Sequence, residues 1–203
     1  MSNNTVQLIT SWQPFDYDAE TIKETREKNN GKIIMRGILQ KANVLNQNGR
    51  IYPKEILDRE VRNYQKFIKE NRALGECDHP DSSVVNLKNA SHIVREAYMD
   101  GDVCHGVVEL LDTPAGKILQ SLVESGVTLG ISSRGLGSTR SEGDYQVVQD
   151  DFQLICWDYV SEPSTPGAFM MRESINPREA QRLLEVFDQS DRIHRAVTEI
   201  LEW

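Results

Sequence analysis

In the run "IIMRGILQKANVLN", apolar and polar positions alternate from Ile38 through Leu39, Gln40, Ala42 and Val44, the two-residue rhythm of a strand. Asn48-Gly49 in "NQNGRIYP" then turns the chain, because both residue types accept a positive φ. Past the turn the rhythm changes. Leu57, Val61, Tyr64 and Ile68 recur at spacings of three and four, with Ile56 and Phe67 alongside. That pattern predicts an amphipathic helix from Pro53 to about Ala73, opened by Pro53 at its first position and stopped at Gly75.

Farther along, "HIVREAYM" and "VCHGVVELL" flank Asp100-Gly101 and predict a hairpin. "TPAGKILQSLVESG" predicts a short helix, capped by Thr113, opened by Pro114 and ended by Gly126. Extended runs follow near "VTLGISS", "DYQVVQ" and "FQLICWDYV". A last helix, 176–203, starts at the Asn176 cap with Pro177 and carries Ile193, Val197, Ile200 and Leu201 on one face. The segment 16–32 is polar and poor in apolar residues, the composition of a mobile arm or exposed loop. Neither a repeat nor a low-complexity tract interrupts this order. Strands in hairpin order with helices between them predict one α+β domain over 1–203, built on an antiparallel sheet or barrel.

Composition adds limits. With 203 residues, 38% hydrophobic and 27% charged, the chain can bury a core without metal or disulfide staples. A formal net charge of -8 argues against nucleic acid as the main partner and favours proteins. Cys77, Cys104 and Cys156 show no CxxC spacing, which fits reduced thiols in a cytoplasm. "MSNNTVQLIT" lacks a basic n-region, and no apolar run approaches the roughly 20 residues that span a bilayer, so no membrane role is expected.

Three segments carry candidate chemistry. "GISSRGLG" (130–137) sets hydroxyls, a guanidinium and glycine amides close together, as an acyl-transfer site must; read alone, it is first of all a Ser- and Gly-rich turn. "GECDHP" (75–80) offers His79, whose imidazole can take a serine proton at neutral pH, or which is simply a loop histidine beside a proline. Asp158 interrupts the apolar "LICWDYV", where a buried carboxylate needs a partner such as His⁺, unless the strand turns it to solvent. His92 and His194 sit among polar residues and His105 inside a hairpin strand, so all three read as structural. Cys77 lies too close to His79 in sequence to serve as its nucleophile, and the cluster Cys77, Asp78, His79 and Asp81 lacks the spacing of a zinc site.

In chain order, "NGRIYPKEIL", "ALGECDHP", "GISSRGLGS" and "WDYVSEPSTP" resemble the prohead (capsid maturation) serine proteases of large contractile-tailed bacteriophages. The resemblance runs from about Ile34 to Pro166. It implies the herpesvirus assemblin-like fold, a small antiparallel β-barrel surrounded by helices. Its Gly-Glu-x-x-His-Pro motif places the catalytic histidine on His79, and its Ser-Ser-Arg-Gly motif places the nucleophile on Ser132. Ser133 is the alternative nucleophile, since neighbouring side chains of an extended backbone point opposite ways. Where herpesvirus relatives use a second histidine, Asp158 is inferred as the third member. Arg134 and the Gly135 amide are assigned to oxyanion support by adjacency to Ser132.

The same resemblance implies an enzyme without metal or cofactor. It would be made in the host cytoplasm and packaged in the immature head, cutting scaffold or core and capsid proteins after Glu in Leu/Ile-x-Glu, with self-association possible. Glu24 of Ile22-Lys23-Glu24 and Glu202 of Ile200-Leu201-Glu202 then become expected self-cleavage sites. Two other functions stay open at this point: a catalytically silent scaffold or core protein of the same fold, and a metal-dependent hydrolase using the 77–81 cluster.

Overall fold

In the computed structural model the described residues are 7–13, 31–80, 82–127, 129–161 and 170–171. The elements are β1 (Gln7–Gln13), β2 (Ile33–Lys41), β3 (Arg50–Ile51), α1 (Lys54–Lys69), β4 (Leu74–Glu76), β5 (Ala90–Asp100) and β6 (Val103–Leu110). They continue with α2 (Pro114–Glu124), β7 (Gly130–Gly137), β8 (Thr139–Glu142), β9 (Tyr145–Val148), β10 (Gln153–Val160) and β11 (Met170–Met171). The arm before Gly31, the helix expected from Asn176, and Glu24, Asp81, His194 and Glu202 lie outside the described residues.

The strands form a five-stranded sheet ordered β11-β2-β6-β5-β4, a three-stranded sheet β1-β7-β10, and a small sheet β3-β9-β8. Local chemistry explains most element ends. Gly101 turns the β5–β6 hairpin at φ 59 and Gly143 turns β8 into β9 at φ 64. Thr113 Oγ1 accepts the Gly116 N–H at 3.1 Å to cap α2, and Gly126 at φ 77 follows its end. On α1 the apolar stripe buries Ile56, Leu57 and Val61 in the core, each worth about 1.5–3 kcal/mol on transfer from water, with Tyr64 beside them. Tyr64 meets Trp157 edge-on at 4.8 Å, which ties α1 to β10.

Four expectations are corrected. The first is the barrel: among the described residues the sheets do not close. The two larger sheets meet at a seam where Cys77, just past β4, forms a single parallel bridge to Tyr159 of β10. With only three residues, β4 is too short to extend that rung into a ladder. Next, α1 stops before Gly75. Asn71 takes the left-handed conformation at φ 53, and the Arg72 N–H closes back on the Phe67 carbonyl, so the helix ends there and β4 begins. Gly75 is glycine for a different reason, because a Cβ there would lie 2.1 Å from the Trp157 carbonyl oxygen and 2.3 Å from His92 Nε2. Third, "GISSRGLG" is no turn but the central strand β7, paired with β1 on one side and β10 on the other. Finally, His92 is fully buried rather than among solvated residues, because β5 passes beneath β10 at Trp157.

Candidate active site

The site forms where β4 runs out beside β10. The Asp78 N–H donates to the Tyr159 carbonyl at 2.6 Å, and Asp78 itself adopts φ 73, which redirects the chain just before His79. Asp78 Oδ1 accepts the His79 N–H at 3.0 Å and steadies the turn. Ser132 on β7 and Asp158 on β10 are direct cross-strand partners, so their side chains share one face of the sheet. Alternation sends Ser133, the partner of Trp157, to the other face.

His79 bridges the pair. Its Nδ1 lies 2.9 Å from Asp158 Oδ2 and its Nε2 lies 2.6 Å from Ser132 Oγ. An ionised carboxylate only accepts, so Nδ1 carries the proton and Nε2 is left to accept from the Ser132 hydroxyl. Ser132 and Asp158 are buried, whereas the His79 side chain is 21% exposed, which makes the imidazole the open edge of the site.

Asp158 is densely held. Its Oδ1 accepts from the Glu76 N–H (2.9 Å), Arg134 Nη2 (3.1 Å) and Cys156 Sγ (3.2 Å), and its Oδ2 accepts from Arg134 Nε (2.7 Å) and His79. Burial pushes this carboxyl upward, but the hydrogen bonds from His79 and Arg134, the Arg134 charge and the Glu76 amide outweigh it and hold it below the usual range. Burial pushes the Cys156 thiol well up, so it stands here as a neutral donor.

The Arg134 guanidinium does not turn toward the Ser132 hydroxyl. The fully buried Arg134 guanidinium is spent on Asp158, on Glu76 Oε1 at 2.9 Å and on the Ser82 carbonyl at 2.7 Å. Gly135 lies inside β7 opposite Ile9 and Leu154, and a Cβ there would meet Phe152 at 2.4 Å; its bare backbone makes room for that ring. The Arg134 guanidinium is thus occupied away from Ser132, and the Gly135 contacts described are packing contacts. Ser133 is fully buried, and its hydroxyl faces Tyr52 without a well-formed hydrogen bond. Cys77 is half-buried and burial raises its thiol. Among the described residues no group of three or more His, Cys, Asp or Glu side chains is placed to hold a metal ion.

Behind the site, His92 Nε2 lies 2.8 Å from the Trp157 carbonyl and donates to it, leaving Nδ1 to accept from Ser91 Oγ at 2.9 Å. Burial lowers this imidazole to about 4, against the opposing pull of Asp158 and of the Trp157 hydrogen bond. A histidine kept neutral in the fold binds its proton first in the unfolded chain. Its contribution is thus intact above pH 6.5 and declines as pH falls toward 4, by about 3 kcal/mol in all. Urea unfolding between pH 7 and 4 should show this slope, and His92→Gln, which can still donate to Trp157 and accept from Ser91, should flatten it. An equal slope in both proteins would place the acid sensitivity elsewhere.

A hydroxyl, an imidazole and a carboxylate in hydrogen-bonded series form the constellation of nucleophilic acyl transfer. Residues 15–180 match the family described as prohead core protein serine protease, and the chain belongs to that family. It is 33% identical over 148 residues to the prohead core protein protease of Enterobacteria phage T4, covering 70% of each chain. It is also similar to a solved structure of the bacteriophage T4 capsid assembly protease, at TM-score 0.67 and 26% identity, over 79% of this chain and 100% of that one.

Glu76 and Cys156 were not marked as site residues by sequence reasoning. A signal existed for each: Glu76 stands three positions before His79 in the Gly-Glu-x-x-His-Pro motif, and Cys156 lies two positions before Asp158.

Proposed function

We propose that this protease is a serine endopeptidase acting in the immature phage head, with Ser132 as nucleophile, His79 as general base and Asp158 as the orienting acid. The observation that carries it is the pair of hydrogen bonds on opposite nitrogens of one imidazole, 2.6 Å to Ser132 and 2.9 Å to Asp158. Ser132 Oγ attacks the scissile carbonyl carbon while its proton passes to His79 Nε2. The imidazolium is stabilised by Asp158 and gives that proton to the departing amine, which breaks the C–N bond and leaves an ester on Ser132. Water then attacks the ester, His79 taking and returning a proton as before.

The substrates in this reading are scaffold or core and capsid proteins, and the chain itself, cut after Glu in Leu/Ile-x-Glu. Intact mass over time at high protein concentration tests it without any natural substrate. Loss of mass after Glu24 or Glu202 is expected, and prior treatment with a fluorophosphonate should stop it while adding one adduct, mapped to the peptide that contains Ser132. Cleavage that continues in fully labelled protein, or an adduct only on other residues, would overturn the assignment.

A further inference from the structure

Three buried formal charges lie together behind His79. Glu76, Arg134 and Asp158 side chains are each 0% exposed, and Arg134 pairs with both acids at 2.9 Å and 2.7 Å. A guanidinium shared with Asp158 alone would cancel the carboxylate's charge and weaken its attraction for an imidazolium. With Glu76 included, the three formal charges sum to minus one, and that residual charge is met when His79 takes a proton.

Glu76 is also held in a way that suits this role. Its Oε1 accepts from Arg134 Nη2 and from the Asn86 N–H at 2.9 Å, while its Oε2 is buried without a hydrogen-bond partner among the described residues. A bare carboxylate oxygen in the interior is costly in stability and calls for another explanation. We infer that Glu76 is a positioning residue of the reaction: its buried charge offsets that of Arg134, so that Asp158 keeps its full pull on the imidazolium formed at His79. The inference rests on the serine-protease reading above.

Other groups around His79 do not supply this charge. From β10 come Asp158 and the neutral Cys156 thiol, from β7 Arg134 and Ser132, and from β5 the neutral His92 beneath Trp157. On its own loop, Cys77 has a raised thiol, and the charge of Asp78, which accepts the His79 N–H, is exposed and screened by solvent.

Glu76→Gln removes the charge while its amide oxygen still accepts from Arg134 and Asn86. In that variant kcat should fall about tenfold at unchanged KM, and the acid limb of kcat/KM should move about one pH unit lower, since the imidazolium is less favoured. Glu76→Asp keeps the charge, so its acid limb should stay at the wild-type position even if kcat changes. A Gln variant with wild-type kcat and limb, or Gln and Asp variants with the same limb, would overturn the inference. Ser132→Ala separates this from the reading beneath it. If that variant is inactive while Glu76→Gln behaves as wild type, only the role of Glu76 fails; if Ser132→Ala still cleaves, the triad itself fails.

Discussion

Asp158→Asn is expected to lower kcat by about 10⁴-fold, the scale seen when a triad acid becomes an amide. The reason lies in the donors around the carboxylate. Its Oδ1 receives three and its Oδ2 two, including His79 Nδ1–H. Asparagine must put an NH₂ at one of these positions. If it faces the Glu76 amide and Arg134 Nη2, donors oppose donors where both Arg134 and residue 158 are fully buried. If it faces His79, the ring shifts to the other tautomer, its Nε2 carries the proton, and it can no longer accept one from Ser132. Either outcome also loosens Arg134, so stability should drop by about 3 kcal/mol. Steady-state cleavage of a peptide containing Ile-Leu-Glu, with urea unfolding alongside, measures both. A variant within tenfold of wild type would remove Asp158 from the mechanism.

What the sequence made legible follows the range of the interactions. The β5–β6 hairpin and α2 are punctuated by their own residues, Asp100-Gly101 in one case and Thr113, Pro114 and Gly126 in the other, so local reading places them. Gly75 misled because its missing side chain answers a strand and a histidine far along the chain, while Asn71 had already ended the helix. "GISSRGLG" misled for a related reason. A strand paired on both sides and buried on both faces shows no clean alternation, and its glycines 135 and 137 look like turn residues when they make room for Phe152.

The site divides the same way. Residue chemistry offers His79, Ser132 and Asp158 only as candidates, and the family motifs single out His79 and Ser132 while Asp158 is inferred, since contacts spanning 53 and 79 positions leave no local periodicity to read. Adjacency in sequence made Arg134 an oxyanion candidate, but alternation and the 58-position contact to Glu76 decide where its guanidinium goes. A buried cation must find its anions, and in this fold they are Asp158 and Glu76, which draw the guanidinium away from the Ser132 hydroxyl.

Ser132→Ala and Ser133→Ala should give opposite patterns, and the contrast between them tests the register of β7. Ser132 Oγ is the atom within 2.6 Å of His79 Nε2, so its loss should reduce cleavage by at least about 10⁴-fold, as removal of a nucleophile does. Stability should change by less than about 1 kcal/mol, because His79 is 21% exposed and its freed nitrogen can turn to water. Ser133 lies opposite Trp157 on the other face, with a buried hydroxyl that makes no well-formed bond. Removing an unsatisfied polar atom is neutral or stabilising, so Ser133→Ala should unfold at the wild-type urea concentration or slightly above it and cleave within about threefold of wild type. The two adjacent serines differ by a single step along the strand, and a one-residue slip would exchange every face. Activity surviving in Ser132→Ala and vanishing in Ser133→Ala would therefore mean that β7 pairs with β10 one residue out of the register described, carrying Arg134 away from Asp158 with it.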